Sequence, residues 1–222
     1  MEKIEVDKGS TQFIRAYNSE EQILNWWDQH PDAIGIAFVG RSNVGKSSLI
    51  NRLFGNKTAK TSKTPGRTQK INIFTFELLN EQTQHKFFLY DLPGYGHAQV
   101  NKAMSKNWTI IMDAFLSQLN GKTILINLQD ARHPDQKMDQ QFYQYINPKH
   151  IEILLAFNKM DKLKKQAQRA ALNKLKPQLF ESYKHVKEIF FVSAESKEGL
   201  EPLEHTITSY FHDMLDTTKI PE

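Results

Sequence analysis

The apolar run IGIAFVG at residues 34–40 leads without a break into GRSNVGKS at 40–47, and this junction constrains the chain more than any other stretch. An apolar run of that length, closed by glycine, reads as a strand buried on both faces. The residues after it fit Gly-x-x-x-x-Gly-Lys-[Ser/Thr], with Lys46 to Phe54 reading as a helix. A strand, a glycine-bounded loop and a helix start in that order make a cradle for anionic oxygens. The glycines let the loop wrap tightly, successive N–H groups point inward, and the helix N-terminus favours negative charge. Lys46 is placed to reach the β- and γ-phosphates, and Ser47 to offer its hydroxyl to magnesium. Gly40, Arg41, Ser42, Asn43, Val44 and Gly45 supply the loop backbone, and Ser48 follows in the first helical turn. A chain of this length would carry the pattern by chance roughly 1% of the time.

The rest of the sequence supplies the framework that such a loop needs. Residues 1–18 read as an irregular or edge segment. Ser19 is a plausible N-cap for a short helix, with Gln22 three residues on, and Pro31 ends the segment. Strands are expected at 71–79 and 86–91, joined by the polar turn 80–85 as an antiparallel hairpin, then at 123–128, 151–157 and 188–193. Helices are expected at about 101–119, 135–146 and 162–180, and from 200 onward. This alternation predicts an α/β fold of three layers, a mostly parallel sheet with one antiparallel edge and helices on both faces. The expected organisation is one nucleotide-binding domain over 34–215, an N-terminal extension over 1–33 packed on it, and a loose tail over 216–222. Ligands of such sheets sit at the carboxyl ends of the strands, and the remaining motifs fall there.

DLPGYG at 91–96 ends the expected strand 86–91. Asp91 would hold magnesium, through water, and the Gly94 N–H would sense a γ-phosphate, with Leu92 and Pro93 between them. Many nucleotide switches place a glutamine after that glycine to orient the attacking water; this chain has Tyr95. Between the two phosphate motifs lies TPGRTQ at 64–69. A hydroxyl from this loop would complete the magnesium shell. Thr64 and Thr68 are both candidates and Thr68 is favoured, flanked by Gly66 and Arg67.

NKMD at 158–161 follows the strand 151–157. The two acceptor oxygens of Asp161 match the adjacent N1–H and N2–H₂ of guanine, and adenine would leave them unpaired. Asn158 would bind guanine N7 or tie the phosphate loop. Lys159 would lay its aliphatic stem over the base, with Met160 between it and Asp161. Val192, Ser193 and Ala194, after the next strand, would supply a backbone N–H to guanine O6. The expected ligands are therefore GTP and GDP with Mg²⁺.

A net charge of +4 and a pI near 9.0 permit a nucleic-acid partner without requiring one. The absence of cysteine excludes disulfides and thiolate metal sites. No signal peptide or membrane-spanning run is visible, which predicts a cytoplasmic protein with no membrane partner. Lys57, Lys60, Lys63, Arg67 and Lys70 crowd the 55–70 loop, where positive charge suits ribosomal RNA. A second basic group, Lys159, Lys162, Lys164, Lys165 and Arg169, reads first as a solvated face.

GRSNVGKSSLIN at 40–51, TPGRTQ at 64–69, DLPGYG at 91–96 and NKMDKL at 158–163 together closely resemble the EngB family of bacterial ribosome-assembly GTPases, also called YihA or YsxC. Trp108 and DARHP at 130–134 are similar too, and the resemblance covers nearly the whole chain. It implies a monomeric P-loop GTPase that binds GTP and GDP with Mg²⁺ and hydrolyses GTP slowly. It also implies a role in maturing the large ribosomal subunit or its precursors and a link to cell division. His97 and the pair Gln129-Asp130 depart from the family pattern, with no expected effect on a nucleotide contact. Some related GTPases with an aromatic or hydrophobic residue in the glutamine position use potassium, held partly by a loop asparagine, which here is Asn43. The resemblance thus assigns Lys46, Asn43, Thr68 and Gly94 to catalysis and Ser47, Thr68 and Asp91 to metal. Two other functions fit the motifs: a scaffold that binds RNA and uses GTP as a structural ligand, and a GTPase with another translation or tRNA-modification target.

Overall fold

The computed structural model describes residues 4–60, 70–79, 85–96, 102–119, 121–149 and 151–217. Lys63, Thr64, Gly66, Arg67 and Thr68, most of the 80–85 turn, His97 and the last residues of the tail lie outside them. Among the described residues, seven strands form one sheet. They are β1 (Glu5–Tyr17), β2 (Gly35–Gly40), β3 (Ile71–Leu79), β4 (Phe87–Asp91), β5 (Thr123–Asp130), β6 (Ile153–Asn158) and β7 (Val186–Phe191). Their order is β1-β3-β4-β2-β5-β6-β7. Strands β4, β2, β5, β6 and β7 pair in parallel, and β3 is antiparallel to both β4 and β1. The antiparallel edge expected from the hairpin is present, and the N-terminal segment adds an outer strand to it.

Central strands follow from their composition. Every residue of β2 and of β6 is buried, as strands covered on both faces must be. The outer strand β1 reads differently, EVDKGSTQFIRAY, with most residues partly or fully exposed and two register shifts against β3. Charges and bulges are what an unpaired edge needs to resist pairing with another chain, and they are also what hid this strand from periodicity.

Helices α1 (Glu20–Gln29), α3 (Lys102–Leu116), α4 (Lys137–Ile146) and α5 (Gln166–Ser182) cover one face. Helices α2 (Lys46–Phe54) and α6 (Leu200–Thr217) cover the other. Along β2 the alternation is clean: Ala37 and Val39 join the first core, Ile36 and Phe38 the second. The Ser19 hydroxyl caps α1 by accepting from the Gln22 N–H at 3.4 Å. Trp26 and Trp27 are buried in the first core, Trp27 against Tyr90 and Phe115. Among the described residues no helix is long and apolar enough to cross a membrane.

The second core is built on aromatic contacts. Phe76 is fully buried, with ring centroids 4.8 Å from Phe54, 5.6 Å from Phe87 and 5.3 Å from Phe211. It joins β3, β4, α2 and α6, so its loss would leave a cavity that no single element can close. Phe76→Ala is expected to lower the unfolding free energy by about 3–5 kcal/mol, read from urea denaturation with an unchanged slope.

Candidate nucleotide site

The carboxyl ends of β2, β4, β5 and β6 are Gly40, Asp91, Asp130 and Asn158, side by side along one edge of the sheet. The loops leaving these ends carry GRSNVGKS, DLPGYG, DARHP and NKMD. The parallel register therefore gathers motifs that lie far apart in sequence.

Gly45 caps α2 with a φ of 94°, and a Cβ there would lie 2.4 Å from Asn158 Nδ2. Glycine is needed for both the turn and the approach. The Asn158 amide uses that closeness: it donates to Val44 O at 3.1 Å and to Gly45 O at 3.4 Å, while its carbonyl accepts from the Ala194 N–H at 3.1 Å. Of the two roles open to Asn158, the structure shows the tie to the phosphate loop. It also commits the Ala194 N–H to Asn158 rather than leaving it aimed outward. Arg52 of α2 donates to Ala194 O at 3.0 Å, fixing the same loop from the other side.

Lys159 has a left-handed backbone and its ammonium reaches Asn43 O and Asp130, the latter at 2.9 Å. Its stem therefore runs from the end of β6 to the phosphate loop, where it can serve as a platform. Asp130, one of the departures from the family pattern, is a direct partner of Lys159. Strand β5 runs to Asp130 because it pairs with β6 as far as Asn158, and this sets Asp130 beside Lys159. Burial acts to raise the Asp130 pKa, but hydrogen bonds from Arg132 and Lys159 outweigh it and hold the carboxyl well below the usual range. The group is ionised at neutral pH. Its contribution to stability is complete above about pH 4 and is lost only as the pH falls below that.

Asp161 accepts from the Ser193 hydroxyl at 2.7 Å and pairs with Lys162 at 2.9 Å. Burial pushes its pKa up, and these two contacts pull it below the ordinary value. Ser193 thus orients Asp161, a contact that the sequence reading did not foresee. Arg169, expected on a solvated face, instead makes a two-pronged pair with Glu198 and donates to Leu163 O and Met160 O at 3.1 and 3.0 Å. It braces the turn that carries Asp161. Lys164 and Lys165 are exposed.

At the phosphate end, the Lys46 ammonium pairs with Asp91, and Asn72 donates to the other Asp91 oxygen at 3.3 Å. Gly94 lies against the phosphate loop, where a Cβ would meet Gly40 O at 3.0 Å. Pro93 O accepts from the Trp108 indole at 3.4 Å. Asn43 is exposed with a φ of 63°.

Tyr95 points away from this edge. Its N–H donates to Gly40 O and its C=O accepts from Ser42 N, both at 3.2 Å. The ring is buried, stacked on Phe142 at 4.5 Å with planes 6° apart. Its hydroxyl donates to Asp139 at 2.9 Å and accepts from Asn127 at 3.0 Å. Arg41 turns its side chain to the same place, donating to Asp139 at 3.0 Å, to Gln136 and to His133 O. Asp139 and Asn127 were missed from sequence. The available signal was an acid in the stripe Asp139, Phe142, Ile146, at helical spacing on a buried face.

Removing Asp130 tests the base platform. Asp130→Ala leaves Lys159 without its carboxylate partner, and the affinities for GDP and GTP are expected to fall together by about tenfold, or ~1.4 kcal/mol. Titration of a fluorescent guanine nucleotide measures this.

A family model described as "50S ribosome-binding GTPase" matches residues 35–159. The "Probable GTP-binding protein EngB" of Salmonella typhimurium is 36% identical over 190 residues, covering 85% of this chain and 87% of that protein. A crystal structure of a "probable GTP-binding protein engB" superposes with a TM-score of 0.60 at 25% identity, covering 81% of this chain and 99% of the other. Aquifex aeolicus Era bound to GDP and AlF4⁻ superposes with a TM-score of 0.65 at 24% identity, covering 79% of this chain and 56% of Era. This chain therefore spans little more than half of Era's length. Motif order, fold and identity over most of both chains converge: the chain belongs to the EngB family of GTP-binding proteins and is a GTPase.

Proposed function

We propose that the chain is a GTP-driven switch acting in assembly of the large ribosomal subunit, with a link to cell division and a cytoplasmic location. It would work as one GTP-binding domain over 34–215, with 1–33 as an extension. The observation that carries the switch is the pair of hydrogen bonds between Tyr95 and the phosphate loop at Gly40 and Ser42. They tie the segment carrying Gly94 to the place where a γ-phosphate would sit. The ribosomal target is supported by the family description. A structure of Era is a complex with MgGDPNP and nucleotides 1506–1542 of 16S ribosomal RNA, so a protein of this fold binds ribosomal RNA. Lys57, Lys60 and Lys70 are exposed on either side of residues 61–69, and each phosphate they neutralise would steepen the salt dependence of binding.

In this reading the phosphate-loop backbone holds the phosphates, Lys46 supplies charge to their oxygens, and Asp161 selects guanine. Ser47 and Asp91 are hard oxygen donors of the type that suits magnesium. Asp91 stands paired with the phosphate-binding lysine, so the residues fit a metal–phosphate group. Magnesium would supply charge neutralisation during phosphoryl transfer. Gly94 would offer its N–H to the γ-phosphate, and the Thr68 hydroxyl would complete the magnesium shell. The Asn43 side chain would add a ligand for potassium.

The test is multiple-turnover phosphate release in KCl and in NaCl, with and without purified large ribosomal subunits. Stimulation by the subunit, on the scale of the roughly 10⁵-fold that partners can supply to slow GTPases, is the expected result. A rate that the subunit leaves unchanged would sink the proposed target. A rate indifferent to the cation would remove potassium. In a parallel test of the base site, Asp161→Asn is expected to move preference from guanosine towards xanthosine nucleotides.

A further inference from the structure

Asp139 is a carboxylate in the core. It is 1% exposed, and the three groups that satisfy it come from three parts of the chain. Its Oδ1 accepts from Tyr95 at 2.9 Å and from Arg41 at 3.0 Å, and its Oδ2 accepts from the Gln136 N–H at the start of α4 at 3.1 Å. Tyr95 belongs to the DLPGYG segment and Arg41 to the phosphate loop. One buried oxygen atom thus joins the two segments whose relative position would decide whether a γ-phosphate is gripped.

The joint is stiff. Burial pushes the Asp139 pKa up against the pull of Arg41, Tyr95 and the Gln136 N–H, and a partner lost from a buried carboxyl group is costly. The phenol cannot swing, because Phe142 stacks on its ring and Asn127 donates to its oxygen. Nor can the backbone drift, since Tyr95 is bonded to Gly40 and Ser42. Gly94 is the residue before Tyr95 and lies so near the phosphate loop that an added Cβ would be 3.0 Å from Gly40 O, so the Tyr95 contacts constrain where its N–H lies. A reacting centre must be held within a fraction of an ångström to keep its rate.

We infer that Asp139 is a positioning residue for GTP hydrolysis, acting through Tyr95 to hold the Gly94 N–H against the phosphate loop. This rests on Gly94 as the γ-phosphate contact. A purely structural Asp139 would cap α4 through Gln136 and do no more. Tyr95→Phe separates the two, because it leaves the cap and the ring stacking and removes only the hydroxyl.

The experiment measures single-turnover hydrolysis at saturating GTP, together with GDP affinity, for Tyr95→Phe, Asp139→Asn, the double variant and Gly94→Ala. Positioning predicts that each of the first two slows hydrolysis by about tenfold with GDP affinity held within about twofold, and that the double variant is no slower than the slower single. Three results would overturn it: unchanged hydrolysis in Tyr95→Phe, GDP affinity falling in step with the rate, or losses that multiply in the double variant. Gly94→Ala tells the levels apart. The variant keeps the N–H but sets a Cβ 3.0 Å from Gly40 O, so a normal rate there would show that this N–H need not be held close, and would remove the premise on which the inference rests. A slow Gly94→Ala beside a normal Tyr95→Phe overturns Asp139 alone. Should Asp139→Asn fail to fold, Tyr95→Phe carries the test.

Discussion

The Asn158 side chain ties backbone from two separate segments to the end of β6, and the geometry of the site depends on that joint. Its NH₂ donates to the phosphate loop and its carbonyl accepts from Ala194. Only an amide can do both at once: a carboxylate would have no donor for Val44 O and Gly45 O. The same contact requires Gly45, since a side chain there would displace Nδ2. Fixing the loop to the end of β6 also fixes the distance from the phosphate cradle to Asp161, three residues further on. A nucleotide has a set length, so a site built to hold both its ends must hold them at one spacing before the ligand arrives.

Charge is arranged to serve that preorganisation. Three cations of the edge, Lys46, Lys159 and Arg41, each have a carboxylate partner: Asp91, Asp130 and Asp139. Unpaired, such poorly solvated charges would cost several kcal/mol each. The pairs differ in kind. Arg41–Asp139 lies deepest, with the Asp139 side chain fully covered, and the planar guanidinium takes two further acceptors there. It behaves as a fixed strut. Lys46 is a compact ammonium on a flexible stem, and Asp91 faces the same mouth. A phosphate with its cation offers each of them a new counter-charge, so that pair can open on binding where the Arg41 strut cannot.

Some of this was written openly in the sequence. Strands buried on both faces announce themselves as apolar runs, and the motifs sit at their ends because the turns there need glycine, asparagine and charge. β2, α2 and the strand before NKMD were legible for that reason. The hidden parts share a different cause. β1 carries Lys8, Gly9 and Ser10 because an edge strand must not look like a core strand. Asp130 matters only through a cross-strand neighbour, Lys159, that the β5–β6 register supplies. Arg169 resembles any surface basic residue until Glu198 and two carbonyls are brought to it by the β7–α6 loop and the NKMD turn. A linear pattern records local spacing, and these contacts are set by topology.

Tyr95 brings the two kinds of information together. Its position after Gly94 marks it as standing where a water-orienting glutamine is often found, and the fold shows why it cannot act as one. The phenol faces α4, desolvated by burial and set beside the negative Asp139, and both push its pKa well above the ordinary value. It stays protonated at any physiological pH and donates to Asp139, so it can neither take a proton from water nor swing to meet it. The side chain acts through position rather than chemistry: it fixes the segment that carries Gly94 to the phosphate loop. Orientation of an attacking water is therefore not a task for the Tyr95 side chain.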